Sequence, residues 1–520
     1  MAIRVQGKYE ALIRERAATD AHDVWLKFRD ETYSWSDVLS AMSRVANGLL
    51  ELGVRPGDRV MIVMSNRPEF LWSHLGIIMI GAHSVPVSTQ QRGETLRHMI
   101  VDSRAKAILV EGDYLPHVLA ASQGVETLQH IVGLGTAPSH AAPVTFERLF
   151  ASPDTEPDVD LSDAPGGSGL IYTSGTTGPP KGVVATAYDF GPMELVLRAS
   201  GVQPGETMYA ATPLYHGNAL LVQAMGSITV GAKFALGERF SASRWWDEIR
   251  RYDAVEFNAV GAMIPILLKQ PARSDDADNP VRALLSMACP ADSWREFERR
   301  FGVRIIETYG MVDAVGSLLN DVGKVGSVGK PVPGVEYRIV DDEDRALGPG
   351  EVGEITFRHA KGQMTDYENR PEETAHAYRG GWFHSGDLGE YDEDGFYYYR
   401  GRKKESMRRR GVNVSAWEIE SVLISHPDVL EVAAHAVPSP LGEDDIKVVI
   451  RPVDASTLTP EDVLRFCEGR MAYQAIPRYV EFVEEVPKTP TQRPMYGVLK
   501  ERGLTPATWD REAAGFEVRR

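Results

Sequence analysis

The stretch Tyr172-Thr173-Ser174-Gly175-Thr176-Thr177-Gly178-Pro179-Pro180-Lys181-Gly182 packs hydroxyls, glycines and one lysine into eleven residues. Glycine lets the backbone approach a ligand closely and take positive φ. Thr173, Ser174, Thr176 and Thr177 offer donors, and Lys181 adds a mobile cation. The apolar run Gly169-Leu170-Ile171-Tyr172 just before it reads as a buried strand, so the loop is expected to leave a rigid edge with N–H groups turned toward an anion. That chemistry suits a polyphosphate. The loop is not a Walker A sequence, which needs Lys and then Ser or Thr directly after its second glycine; Pro179 and Pro180 follow Gly178 here, and Gly182 follows the lysine. A second place of interest is Gly381-Trp382-Phe383-His384-Ser385-Gly386-Asp387-Leu388-Gly389. An aspartate after glycine is ordinarily a turn residue. Gly401-Arg402 follows fifteen residues on.

Together with Pro213-Leu214-Tyr215-His216-Gly217-Asn218-Ala219 and the run GRKKESMRRRGVNVSAWEIE from Gly401 to Glu420, the loop resembles the signature of the adenylate-forming superfamily. Acyl-CoA synthetases, aryl-CoA ligases, nonribosomal adenylation domains and luciferases belong to it. The resemblance extends along nearly the whole chain and is strongest to small-acid ligases similar to crotonobetaine/carnitine-CoA ligase. It implies that a carboxylate attacks the α-phosphate of ATP, expels pyrophosphate, and passes as an acyl-adenylate to CoA. Carboxylates are already ionised at neutral pH, so the first step needs cations and positioning more than a general base.

By motif position, the resemblance places Thr173, Ser174, Gly175, Thr176, Thr177 and Lys181 on the β- and γ-phosphates. In Glu307-Thr308-Tyr309-Gly310-Met311-Val312-Asp313 it puts Tyr309 on adenine, Gly310 at a close backbone approach and Asp313 on the magnesium ion, with the turn Ala288-Cys289-Pro290 near the base. Asp387 takes the ribose hydroxyls, and Arg402 contacts ribose and phosphate. His216 gates the reacting carboxylate, and Asn218, Asn258, Ala259, Gly261 and Met263 surround the acyl group. Lys404 is the hinge about which a C-terminal domain rotates between adenylation and transfer poses. ATP, Mg2+ and CoA are the implied cofactors, and a small or aromatic carboxylic acid the partner. Oligomeric state, a homodimer included, is left open.

Several positions depart from the family pattern. Val312 stands for a threonine that contacts the α-phosphate, where one hydrogen bond to a charged group is worth about 1.5 to 3 kcal/mol. Asp313 is shorter than the usual glutamate, Ala187 replaces a histidine, and Ser385 replaces the threonine of T-G-D. The sharpest change lies in Pro487-Lys488-Thr489-Pro490-Thr491-Gln492-Arg493, where the family reads P-K-T-x-x-G-K and its last lysine stabilises the adenylation transition state. A planar guanidinium is not equivalent to a compact ammonium. The cation is therefore Arg493, or Lys488 or Lys500 in its stead. Arg408-Arg409-Arg410-Gly411 is either a CoA phosphate contact or a solvated face. Two rivals follow: an adenylating enzyme with another acceptor or anion (amide formation, carrier loading, or nitrite-dependent diazotisation of an aryl amine), and a nucleotide-binding pseudo-enzyme.

The elements that must carry these residues alternate. Helical spacing at Trp35–Leu52, Pro68–Ile80 and Thr95–Ser103 is interleaved with strands at Arg59–Met64, His83–Val87 and Ala107–Val110, an order that implies a parallel, doubly wound layer. A linker spans 152–168. A second α/β unit runs from Met193 to Gly310, with a strand at Ala254–Asn258 and a helix at Ala291–Phe301. Turn-rich sequence around Glu336–Val340 and Gly353–Phe357 suggests a small barrel or meander. From Glu405 the pattern is α+β, with helices at Ala416–Ser425 and Pro460–Tyr473 and strands at Val429–Pro438 and Ile446–Pro452. The expected fold is α/β: residues 1–403 form a large N-terminal domain of two doubly wound subdomains plus a β-barrel-like one, and 404–520 a small mobile α+β domain.

With 520 residues, the length itself suits about three domains. A net charge of −17, from 56 basic and 73 acidic residues, argues against a nucleic-acid partner. Cys289 and Cys467 have no metal-ligand spacing, which fits a reducing cytoplasm. Residues 1–20 lack the apolar core of a signal peptide. The longest apolar stretch, Leu75 to Val87, is too short and too interrupted to span a bilayer, so no membrane insertion is expected.

Overall fold

Strand residues that alternate between two apolar clusters mark a sheet covered on both faces. Val60, Ile62, Ala107 and Leu109 belong to one such cluster, and Met61, Val63, Ile108 and Val110 to another. They lie in a five-stranded sheet of order His83–Pro86, Arg59–Val63, Ala107–Glu111, His130–Leu134, Val144–Thr145, parallel throughout. Helices Trp35–Glu51 and Pro68–Met79 cover one face, and Gly93–Asp102 and Leu115–Ala121 the other. Ser34 and Asp37 start the first of these helices by capping each other's N–H groups. Its residues Val38, Met42, Val45 and Leu49 form the buried stripe. The computed structural model describes residues 8–135, 144–161, 169–173, 180–185, 191–260, 263–287, 289–314, 316–409, 412–439, 444–489 and 493–518. The expectations for Ser174, Gly175, Thr176, Thr177, Ala187, Gly261, Ala288, Arg410 and Gly411 lie outside them.

The second sheet has nine strands. Arg304–Tyr309, Ala283–Met287, Ala254–Val260, Thr207–Ala210, Lys233–Leu236 and Val24–Phe28 run parallel in that order. Antiparallel strands finish both edges: Leu318–Asn320 and Lys330–Pro331 on one side, Glu31–Ser34 on the other. Val24–Phe28 precedes the whole first sheet in sequence yet pairs with Lys233–Leu236, so the two α/β units are tied together from the N-terminus. Asn66 ties them again. Its Nδ2 donates to the carbonyls of Thr212 and Gly237 at 3.0 and 2.9 Å, and its Oδ1 accepts the Leu214 N–H at 2.8 Å.

The barrel-like expectation is corrected to an open sheet. Val335–Val340, Gly353–His359, Phe383–Tyr391 and Tyr397–Arg402 form four antiparallel strands, and no pairing among the described residues joins the first to the last. The free edge strand instead bridges from Tyr397 to Gly329, next to the nine-stranded sheet. Leu170–Thr173, Lys181–Ala185 and Thr365–Tyr367 make a separate three-stranded antiparallel sheet. Beyond Lys403, a hairpin of Ser406–Arg409 and Val412–Ser415 leads to helix Ala416–Ile424 and a sheet of order Val429–Pro438, Asp444–Pro452, Tyr479–Phe482, Trp509–Asp510. Helix Pro460–Cys467 ends earlier than its apolar pattern suggests, because Gly469 turns to φ +71°. Among the described residues no helix is long and apolar enough to cross a membrane.

Gly329 joins the two large sheets under tight constraint. Its φ is +110°, and a Cβ there would sit 2.1 Å from the Leu319 carbonyl carbon, which is backbone and cannot move aside. Gly329→Ala is expected to cost about 2–4 kcal/mol from strain and overpacking. Gly334→Ala, at φ +88° with open space around it, should cost only about 1–2 kcal/mol. Melting curves of the two variants check this, and equal losses would count against a role for the close approach.

Candidate functional site

A cleft of about 1020 Å³ is lined from both parts of the chain, by Thr173, Lys181, His216, Val312, Asp313, Arg402, Lys404 and Arg493 among others. Thr173 and Lys181 are register partners at the base of the hairpin that flanks residues 174–179, so the strand before the loop is present as the sequence suggests. Lys181 is ion-paired to Glu373, and its Nζ lies 5.1 Å from the centre of the Tyr367 ring. That hydrogen bond from Lys181 holds the Glu373 carboxyl below its ordinary range.

Asp387 is 3 % exposed and stands opposite Arg402 in the strand register. Arg402 Nε lies 3.0 Å from Oδ1, and the Tyr309 hydroxyl donates to Oδ2 at 2.8 Å. Burial pushes the carboxyl up and the Arg402 charge pulls it partly back. Oδ1 accepts no hydrogen bond of good geometry, which leaves a buried acceptor for a ligand hydroxyl and fits a ribose. The preceding turn is held by Ser385, whose Oγ donates to the Ile355 carbonyl at 2.6 Å and accepts the Asp387 N–H at 3.0 Å. Serine does here all that a threonine hydroxyl would. The Gly386 N–H donates to Glu354. Burial alone would raise the Glu354 carboxyl, but His384, the Gly386 N–H and Lys403 hold it down to about 2.

Asp313 accepts from the Tyr367 hydroxyl at 3.0 Å, while its carbonyl accepts from Thr365 Oγ1. Burial raises its carboxyl against the pull of Tyr367, Arg402 and Lys181. No group of three His, Cys, Asp or Glu among the described residues could enclose a metal. Mg2+ needs no such cage, since one or two carboxylates with phosphate oxygens and water suffice, and Asp313 on the cleft wall can supply one carboxylate of that donor set.

Of the described residues expected around the acyl group, His216 lines the cleft, whereas Asn218, Asn258, Ala259 and Met263 are not among its lining residues. The turn before His216 is fixed by Asn66 through Leu214 and by the His216 N–H donating to the Pro213 carbonyl at 3.0 Å. Burial lowers the His216 imidazole to about 4, so it is neutral near pH 7, and its Nε2 has no hydrogen-bond partner. A π-helical turn follows at Asn218–Ala224, a local geometry frequent at functional sites. Asn218 Nδ2 meets Met287 Sδ at 3.6 Å, and Gln223 bridges Glu256 and Asn258. Met263 is buried, its sulfur accepting the Val260 N–H at 3.5 Å. Ala259, on the same strand as Asn258, is turned to the opposite face of the sheet, into the cluster with Phe257 and Leu284. Pro290 begins helix Ala291–Phe301. Cys289 has its thiol pushed up by burial and its N–H held by Glu307.

Of the three cations weighed near the C-terminus, Arg493 lines the cleft. It is paired with Glu405, and its N–H donates to Thr489 Oγ1 at 3.2 Å. Lys488 is bound instead to Glu431 at 2.5 Å, and neither it nor Lys500 is among the lining residues. Lys404 lies in the short turn Lys403–Glu405 that leads into the C-terminal hairpin. Helix Ala416–Ile424 touches the N-terminal part at both ends. Trp417 meets the edge of Tyr399 at 6.1 Å, and Ser415 Oγ presses on Gly401 so closely that a Cβ there would lie 2.0 Å away. At the other end Lys269 Nζ donates to the carbonyls of Ile424, at 3.2 Å, and Val429.

Sequence reasoning missed Glu373, Tyr367, Glu405, Gln223, Glu256, Asn66 and Lys269 as parts of this arrangement. Glu256 had a visible signal, a charged residue inside the buried strand sequence AVEFNAV. Glu373, Asn66 and Lys269 had none, since each acts on a residue far away in the chain.

The model of the family described as AMP-binding enzyme matches residues 13–367, and that of the AMP-binding enzyme C-terminal domain matches 418–493. A crotonobetaine/carnitine–CoA ligase of Salmonella arizonae is 31% identical over 478 residues, covering 88% of this chain and 90% of that protein. Among solved structures, an anthranilate CoA ligase in complex with anthranoyl-AMP superposes with a TM-score of 0.84 at 26% identity, over 95% of this chain and 96% of that one. ATP-bound MatB from Rhodopseudomonas palustris shares the fold, with a TM-score of 0.82 at 24% identity over 96% and 99%. With a family model matching more than half of its length, the chain belongs to the AMP-binding enzyme family.

Proposed function

We propose that this protein is an ATP- and Mg2+-dependent ligase that converts a carboxylic acid to an acyl-adenylate and then transfers the acyl group to CoA. The observation that carries the reading is the convergence of Lys181, Arg402 and Arg493 with Asp313 and His216 on one cleft, with Asp387 behind Arg402. Asp387 and Tyr309 orient the nucleoside, and Lys181 neutralises the leaving pyrophosphate. An ionised carboxylate oxygen attacks the α-phosphorus as the bond to pyrophosphate breaks, with Arg493 meeting the charge that builds between them. Asp313 would hold Mg2+, which would supply further charge neutralisation at the phosphates. His216, neutral, hydrogen-bonds at the carboxylate without contributing charge. CoA as acceptor is supported by the similarity to the crotonobetaine/carnitine–CoA ligase. ATP and CoA as co-substrates suit a cytoplasmic setting. Residues 404–520 act as a second domain with its hinge at Lys404.

Acid-dependent exchange of labelled pyrophosphate into ATP, followed by CoA-dependent AMP release, tests this reading. AMP release that needs nitrite and an aryl amine but not CoA would replace it, as would ATP binding without turnover. Arg493→Ala should lower exchange about 10²–10³-fold, the loss seen when one transition-state donor is removed, whereas Lys488→Ala should leave it near the parent rate; the reverse result would transfer the role. The pH profile of exchange should show no inflection near the 6.5 of an ordinary imidazole, because burial favours the neutral form of His216 at every pH above about 4. An inflection near 6.5 that vanishes in His216→Gln would contradict the neutral assignment.

A further inference from the structure

We propose that the acid activated here carries, at the end remote from its carboxylate, a small group that both donates and accepts hydrogen bonds, an amino or hydroxyl substituent, recognised by Asn218, Gln223 and Asn258. The inference rests on the adenylating function above and narrows its substrate class.

Ala254–Val260 is a central strand of the nine-stranded sheet, where an apolar run is the rule. It nevertheless turns Glu256 and Asn258 to the same face, 0% and 2% exposed. The π-helical turn sets Gln223, also 0% exposed, against them. Gln223 Nε2 donates to the two Glu256 oxygens at 3.0 and 3.1 Å and to Asn258 Oδ1. This network uses only half of each amide. Gln223 Oε1, Asn258 Nδ2 and Asn218 Oδ1 have no hydrogen-bond partner, nor has His216 Nε2 at the cleft wall. Buried polar atoms are normally paired, and leaving them unpaired is unfavourable. Packing alone would have been served better by apolar side chains. His216 and Gly217 line the cleft, Asn218 follows them in the chain, and Gln223, later in the same π-helical turn, is bonded to Asn258; three open amide atoms behind the cleft wall are the kind of directed polar groups that orient a small molecule.

Their chemistry defines the complement. Asn218 Oδ1 and Gln223 Oε1 accept, while Asn258 Nδ2 donates. A neutral amine, with two hydrogens and a lone pair, meets all three; a hydroxyl meets one of each kind. Exchanging the oxygen and nitrogen of the two bridging amides still leaves one donor and one acceptor open, so the requirement does not depend on that assignment. Burial raises the Glu256 carboxyl to about 8, which makes it mainly neutral near pH 7 and removes any demand for a cationic substituent. An aliphatic tail would leave the three amide atoms unpaired.

Pyrophosphate exchange with matched acids tests the inference: benzoate against its 3- and 4-amino and hydroxy derivatives, and hexanoate against 6-hydroxyhexanoate. The polar member should show kcat/KM at least about tenfold higher in one or more pairs, since a site built to hydrogen-bond a substituent rejects the analogue lacking it. Asn258→Leu should bring that ratio close to one by slowing the polar acid while sparing the apolar one. Asn218→Leu, at a part-exposed position, provides the same readout if the buried substitution lowers folding yield. Preference for the apolar acid in every pair, or a polar preference untouched by both variants, overturns the inference and leaves adenylation standing. Exchange with no acid at all overturns both.

Discussion

A carboxylate removed from water must be paired or lose its charge, and Asp387 meets that constraint where the parts of the molecule join. Its strand belongs to the four-stranded sheet, its counter-charge Arg402 comes from the neighbouring strand, and the Tyr309 hydroxyl reaches it from the nine-stranded sheet. Removing Arg402 would leave the Asp387 carboxylate charged and dry, a change that typically costs about 3–5 kcal/mol, whereas Arg402 keeps 31% of its own side chain exposed. The relative placement of the two sheets is therefore held at this point. The turn that starts the C-terminal part follows Arg402 directly, so its origin is held as well.

The other cations of the cleft are held less tightly. Lys181 and Glu373 are 35% and 39% exposed, whereas Asp387 beneath Arg402 is nearly dry. An ion pair with that much solvent contributes about 0–1 kcal/mol, so an arriving phosphate can replace Glu373 at little cost. Arg493 with Glu405 lies between these cases. The carboxylates thus position the mobile cations before a ligand arrives, while the one buried pair shapes the floor on which a nucleoside would rest.

Local periodicity made much of the fold legible. Ala291–Phe301 and Val429–Pro438 appear with the boundaries their sequences suggest, and helix Trp35–Glu51 starts at the residue its spacing suggests. Partner choice is a different matter. Nothing in Val24–Phe28 announces that it will pair with Lys233–Leu236, and whether a sheet closes depends on the sum of its twists rather than on any turn sequence. In the site, Lys181, His216, Asp313, Arg402 and Arg493, each named from a contiguous motif, line one cleft. Their supports could not be named in advance, because Glu373 and Asn66 act across long sequence separations and carry no motif of their own.

Helix Ala416–Ile424 is pressed against the Gly401 backbone through its N-cap Ser415 and held at its last residue by the Lys269 ammonium, which faces the carbonyl end of the helix dipole. A rod pinned at both ends cannot pivot on either one alone. Any reorientation of the C-terminal part has to release both contacts together, which favours two discrete arrangements over a continuum and makes the change between them cooperative.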